Sequence, residues 1–273
     1  MKVLIEGSRL VNILKAVSID KEIEIVELNF TEKGLVANNM NEAQHILSYC
    51  IFRPEFFIEY QIPEPKSITV NVNNILKPLN FHKSKKISIS ISKDELICFE
   101  TDAGDRIWST NTYLENKTTL EMMDLPFGKV IRQETLDPSE YSYAEITIPK
   151  SQISTLVNPL GEDTVTILID SGRLKLQQAS SGMYGTENVI STVVKNPKPM
   201  KVHVSSAYLR KALGVLISKK AILAIAPNRP IIISEKTTDY EIHINIAPKY
   251  EIEEIYEEIE EEEIGGVEVD VGE

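Results

Sequence analysis

The same short phrase of residues is written four times along this chain. "MKVLIEGSRLVNILKAVS" begins at Met1, "SITVNVNNILKPLN" at Ser67, "AEITIPKSQISTLVNPLG" at Ala144 and "MKVHVSSAYLRKALGVLI" at Met200. Each opens on a strand-like alternation (Val3/Ile5, Ile68/Val70/Val72, Ile146/Ile148, Val202/Val204) and passes into a helix of two or three turns. The helices carry apolar residues near i, i+3 and i+4, as in Leu10/Ile13/Leu14/Val17 and Leu209/Leu213/Leu216. Ser8, Asn73, Ser151 and Ser206 stand near the helix starts as candidate caps. Three alternating runs follow each helix, such as "EIEIVELNF", "GLVANNM" and "HILSYCIF" in the first copy and "TVTILID", "RLKLQQA" and "ENVISTVV" in the third. Turn signals ("TEKG", "SKDE", "DAGD", "DSG") separate runs of this kind. Each unit therefore reads β-α-β-β-β. A repeat of this kind constrains the fold strongly, because one short helix can bury only one face against a sheet.

The unit starts at 1, 67, 144 and 200 leave the widest gap between the second and third copies. That gap holds "ENKTTLEMMDLPFGKVIRQETLDPSEYS", residues 115–142, which lacks periodicity. The expected fold is α+β, with two similar domains. Each is a pair of units with two helices on one face of antiparallel sheets. The expected boundaries are an N-terminal domain at 1–114, a connecting segment at 115–142, a C-terminal domain at 143–249 and an acidic tail at 250–273. Pro78 and Pro159 are predicted to shorten or kink their helices.

Residue types narrow the function classes. The apolar runs are too short to span a membrane and no signal-like segment opens the chain, which reads as a soluble intracellular protein. Cys50 and Cys98 lie inside strand-like runs and read as small buried hydrophobes. His45, His82, His203 and His243 are scattered without ligand spacing, and no phosphate loop, nucleophile elbow or metalloprotease helix occurs. The expectation is no catalytic residue, no metal and no cofactor. A β-rich two-domain enzyme is the alternative of another class.

Charge is distributed unevenly. Tyr250 to Glu273 holds eleven Glu, one Asp and no Lys or Arg, so this stretch alone carries the whole formal charge of -12. The remainder balances 29 Lys+Arg against 41 − 12 = 29 acids. Within that neutral body, residues 7–19, 73–86, 150–160 and 206–220 hold eleven bases and no acid, where roughly six acids are expected at average frequency. The bases are Arg9, Lys15, Lys77, Lys83, Lys85, Lys86, Lys150, Arg210, Lys211, Lys219 and Lys220. An acid-free helical face suits phosphate contact without sequence readout, and this one is read as unsuited to stacking on single strands. Twelve helices set about 10 Å apart would ring a hole of roughly 28 Å, wide enough for duplex DNA. Eight would leave only about 15 Å. Four helices per chain therefore point to three chains.

Several stretches resemble the DNA sliding clamps of the proliferating cell nuclear antigen (PCNA) family. "GLVANNMNEAQHI" at Gly34 is similar to that family's strand and loop with a Met-Asp pair. "VNVNNILKPL" at Val70 resembles its second inner helix, "EMMDL" and "DPSEYS" the ends of its connecting loop, and "INIAPKY" at Ile244 its C-terminal Ala-Pro-Lys segment. The resemblance covers residues 1 to about 250. It implies a processivity factor that encircles double-stranded DNA as a trimeric ring, with Lys77 and Lys219 at the best-matched inner positions. It implies a hydrophobic client-peptide pocket formed by Met40, Asn41, Ile46, Leu125, Ile131, Leu136, Pro230, Ala247, Pro248 and Lys249. The implied partners are a DNA polymerase, other motif-bearing clients such as a nuclease and a ligase, a clamp loader, and copies of itself or sister subunits. No membrane partner is implied. The implied location is intracellular, with the DNA. A checkpoint-type clamp or one subunit of a heterotrimer is the alternative within the class.

This chain departs from the family pattern in places. Asn41 stands where the family has Asp, and a longer loop leaves open whether His45 or Ile46 faces the pocket. Either "RIWSTNTYL" or "NKTTLEMMD" is the outer-edge strand that pairs with the next subunit, with "RLKLQQAS" as its expected partner. In the tail, Ile252, Ile255, Tyr256 and Ile259 are spaced for an amphipathic helix ended by Gly265-Gly266, beside the alternative of a solvated segment.

Overall fold

The computed structural model describes residues 1–92, 96–110, 144–157, 164–171, 173–178, 186–190, 194–195, 199–226 and 229–249. The connecting segment, Pro159 and the acidic tail lie outside these described residues. The first unit is β1 (Lys2–Glu6), α1 (Gly7–Ser18), β2 (Ile25–Thr31), β3 (Gly34–Met40) and β4 (Ile46–Phe52). A short β5 (Glu59–Gln61), which the repeat did not foretell, precedes the second unit. That unit is β6 (Lys66–Asn71), α2 (Val72–Leu79), β7 (Lys86–Ile91), β8 (Leu96–Thr101) and β9 (Arg106–Thr110). The third is β10 (Ala144–Pro149), α3 (Lys150–Val157), β11 (Thr164–Asp170), β12 (Arg173–Gln178) and β13 (Thr186–Ile190). A two-residue β14 (Val194–Lys195) follows, so the run "ENVISTVV" feeds two different strands. The fourth unit is β15 (Met200–Ser205), α4 (Ser206–Val215), β16 (Lys220–Ile225), β17 (Ile231–Lys236) and β18 (Tyr240–Ile246).

The helices start at the expected caps or one residue before them. Asn71, not Asn73, caps α2: its side chain accepts the Asn73 backbone N–H. Helices α1 and α4 follow Glu6 and Ser205 without a side-chain cap bond, and Ser151 lies inside α3. These starts come directly off strands, so the sheet ladder fixes them. Pro78 sits in the last turn of α2, and the chain continues past Leu79 as a 3-10 turn at Asn80–His82.

The units are not self-contained, because they exchange their first strands. β1 leaves its own unit and pairs with β7, in the sheet order β5-β1-β7-β8-β9. In return β6 pairs with β2. The later units do the same, with β10 on β16 and β15 on β11. Every described strand pair is antiparallel. One exchange completes two sheets at once, so each unit needs its neighbour. β4 then pairs with β18 from Ile46↔Ile246 to Phe52↔Tyr240, fusing two meanders into a nine-stranded sheet. The other two meanders end at β9 and β13, each with a strand on one side only among the described residues.

The helices cover one side of this scaffold. Leu10, Ile13, Leu14 and Val17 of α1 are buried, and α1 packs against β2, β3 and β4. Each such side chain stabilises the fold by about 1.5–3 kcal/mol through burial. Gly7 is obligatory for a close approach: a Cβ there would lie 2.2 Å from the His82 carbonyl oxygen.

Candidate nucleic-acid and peptide-binding surfaces

Helix α1 touches both α2 and α4, and α4 touches α3, so the four helices form a row, α2-α1-α4-α3. The eleven bases on this row have different environments. Lys77, Lys83, Lys85, Lys86, Lys219 and Lys220 are exposed. Four others are held by protein groups. Arg9 donates from Nη1 to the Phe56 carbonyl at 2.8 Å, with its guanidinium 5.3 Å from the Phe56 ring centroid and 3.6 Å from Glu6. Lys15 lies 3.5 Å from Asp20, and Lys211 pairs with Glu22. Lys150 donates from Nζ to the Leu216 carbonyl at 2.6 Å, closing the end of α4, and burial lowers its pKa. Arg210 is half-buried on α4. The positive potential of the described row therefore concentrates at the α2 exit and at Lys219-Lys220.

Two features of this face were not anticipated from sequence. Phe81, between Lys77 and Lys83 in sequence, is 80% exposed, so the face is not free of aromatic rings. Glu235 of β17 is 2% exposed, and its two oxygens accept the backbone N–H groups of Ile217 and Ser218, both at 2.6 Å. That buried carboxylate anchors the turn that carries Lys219 and Lys220. Its signal in sequence was a lone acid within the apolar run "PIIISEK".

At the β3–β4 loop the expected pocket residues partly converge, and the loop meets α4: the Asn41 Nδ2 lies 3.5 Å from the Tyr208 hydroxyl and the His45 ring 6.2 Å from the Tyr208 ring. Asn41 ends β3 and organises its loop: Oδ1 accepts the His45 N–H at 2.9 Å and the Ile46 N–H at 3.1 Å. An Asp here would present the same acceptor. The segment after β18 is drawn to this loop, with the Ala247 N–H donating to the His45 carbonyl at 2.8 Å. Farther on, Lys249 donates from its backbone to His203 at 2.7 Å and from Nζ to Thr164 Oγ1 at 3.1 Å. Pro230 adjoins Ile231, which pairs with Ile246, so it sits beside Ala247 in the ladder.

One pocket residue is placed elsewhere. Ile46 is 1% exposed and belongs to the core, while His45 is exposed. The face is fixed by Ser48, two residues on, whose Oγ donates to the Val17 carbonyl of α1 at 2.7 Å. Ile46 shares that helix-facing side. Leu47, overlooked in sequence, pairs with Met40 on the outer side. Leu125, Ile131 and Leu136 lie outside the described residues.

The subunit-edge expectation also needs correction. β12, the "RLKLQQAS" strand, is flanked by β11 and β13 and has no free edge; among the described residues the open strand is β13. On the other side β9, within "RIWSTNTYL", is the described edge, and "NKTTLEMMD" lies outside the described residues. Cys50 and Cys98 are free and buried, and burial pushes both thiols up. Among the described residues no cluster of three His, Cys, Asp or Glu is placed to hold a metal, and no helix is long and apolar enough to cross a membrane.

Paired meanders with exchanged first strands, fused through a continuous sheet and covered by helices on one side, define the sliding-clamp fold. Comparison with known proteins bears on this directly. No family model matches the chain. It is 25% identical over 175 residues to DNA polymerase sliding clamp 1 of Saccharolobus solfataricus, a match spanning 64% of this chain and 58% of that protein. It superposes on a PCNA2–PCNA3 complex from Sulfolobus tokodaii with TM-score 0.76 at 15% identity, covering 92% of this chain and 100% of that one. It is also similar to PCNA from Entamoeba histolytica (TM-score 0.74, 15% identity, covering 91% and 98% of the two chains). A third similar structure is A. fulgidus PCNA bound to the C-terminal region of FEN-1 (TM-score 0.71, 14% identity, 92% and 98%). The chain has the clamp fold, and its similarity to PCNA-type sliding clamps holds in sequence and in structure.

Proposed function

We propose that this protein is a sliding clamp: a processivity factor without chemistry of its own, which closes as a trimeric ring around duplex DNA. The observation that carries this reading is the contrast between β4–β18 and the two open edges. Four meanders end in four last strands. Two of them join within the chain, and β9 and β13 remain. Head-to-tail pairing of β9 with the β13 of another copy would repeat the internal junction and close a ring. In such a ring the helical rows face inward, and exposed lysines meet phosphates through mobile, water-bridged contacts that permit sliding.

The outer surface around Met40, Asn41, Leu47, Pro230 and Ala247-Pro248-Lys249 supports docking of client peptides, polymerase among them. The C-terminal region of FEN-1 bound to A. fulgidus PCNA is a precedent for a client segment held by such a fold. Loading onto DNA requires a partner that opens the ring. The division into domains at 1–114 and 143–249 follows from the same reading, as does a location with the DNA. Native mass tests it: three chains of 30.8 kDa should travel together, and the loaded ring should stay on circular DNA but slip from the linearised form. A monomer that also fails to assemble with sister clamp chains would overturn it.

A further inference from the structure

We propose that Phe81 is a stacking contact for unpaired bases, so that this protein binds single-stranded DNA at the α2 exit in addition to the duplex; the proposal rests on the reading of the helical row as the DNA-facing surface. Phe81 is 80% exposed, against 55% for Trp108 and 46% for Ile58, the other exposed large hydrophobics described. The turn that carries it is tightly tied. Asn80 donates from Nδ2 to the Leu76 carbonyl at 2.8 Å, and the Lys85 N–H donates to the His82 carbonyl at 3.0 Å. From α1, the Gly7 and Ser8 N–H groups donate to Lys85 and Lys83 carbonyls at 2.8 and 2.9 Å. The ring is therefore held out into water by a braced backbone.

The charge around it selects the ligand. Lys77, Lys83 and Lys85 are exposed and have no ion pair to a described residue. Acids also stand close to the turn, one of them beside His82, the residue next to Phe81. Asp105 is 3.8 Å from His82, Asp102 donates its N–H to the Lys86 carbonyl, and Glu6 stands opposite Lys86 in the ladder. An aromatic face flanked in sequence by lysines that have no ion pair to a described residue matches a nucleobase with its adjoining phosphates. Away from its ends a duplex offers no free base face, so along a strand the ring adds affinity only where bases are unpaired, as at a primer–template junction.

The test uses the full chain in its native oligomeric state at low salt, with a labelled 20-nucleotide oligothymidylate and a blunt duplex of equal length. Phe81→Ala should weaken single-strand binding about five- to tenfold and leave duplex binding within twofold. Phe81→Tyr, which keeps the ring, should restore it. Lys83→Ala with Lys85→Ala should weaken both ligands and flatten the salt dependence. With 2-aminopurine in the strand, stacking should quench fluorescence in the parent and Phe81→Tyr proteins but not in Phe81→Ala. Equal loss on both ligands, no loss on the single strand, or unchanged quenching would overturn the proposal. None of these readouts needs a closed ring, so they stand or fall separately from retention on circular DNA.

Discussion

Strands β4 and β9 each end a three-stranded meander, yet β4 is paired from Ile46 to Phe52 with β18, whereas β9 is bonded on one side only among the described residues. The paired junction is fortified. The Phe52 ring lies 5.0 Å from Phe56 and 6.2 Å from Tyr240, and Arg53 reaches from the end of β4 to Glu241 of β18. The open edge instead displays Trp108, 55% exposed. The difference teaches that one kind of strand end serves two purposes. Closed within the chain it is core; left open among the described residues, it is the edge that the proposed ring would use.

The comparison can be broken most sharply at the open edge. Trp108→Asp should remove the proposed trimer altogether, seen as a drop to single-chain mass, while circular dichroism and melting stay close to the parent. At the closed junction the reverse is expected: Phe52→Ala should cost about 3–5 kcal/mol of stability by denaturant melting. Arg53→Ala should cost less, about 1–2 kcal/mol, because Lys236 still lies 3.1 Å from Glu241.

That site also sets a pH dependence. Burial raises the Glu241 carboxyl, but bonds from Arg53 and Lys236 outweigh it and hold the pKa below the usual value. A depressed carboxylate contributes stability that is present above its ordinary pKa of about 4.5 and lost as pH falls through the folded value. Arg53→Ala should therefore flatten the loss of stability on acidification below about pH 4.5. The smallest effect belongs to the helical face. Lys85→Ala should lower the salt slope of duplex binding by about one, whereas Arg9→Ala, already engaged with Phe56, should leave it unchanged.

Local periodicity made most elements legible. "GLVANNM" is β3 residue for residue, and the alternation in "TVTILID" is β11. The exchange of first strands was not legible, because Val3 opposite Ile89 is a pairing across the whole first half and nothing in either run names the other. The Ile46 placement failed for a related reason: a one-residue change in loop length flips every side chain of the following strand. Arg9 and Lys150 looked like free cations because a tally of charges does not see backbone carbonyls, and their partners are carbonyls of Phe56 and Leu216. Asn41 was found because "GLVANNMNEAQHI" resembles the clamp family's strand and loop, in which Asp stands at this position.

The β4–β18 junction also has a consequence in time. Its partners lie 188 to 200 residues apart in the chain, from Phe52↔Tyr240 to Ile46↔Ile246. At typical synthesis rates the ribosome needs about 10–40 s to cover that distance. Throughout that interval β4, paired with β3 on one side, keeps its other edge bare until β18 is made. A chain interrupted before residue 240 keeps that edge permanently, and the β18 of an intact neighbour fits it. For this protein, premature termination should produce a molecule that captures its full-length siblings instead of an inert fragment.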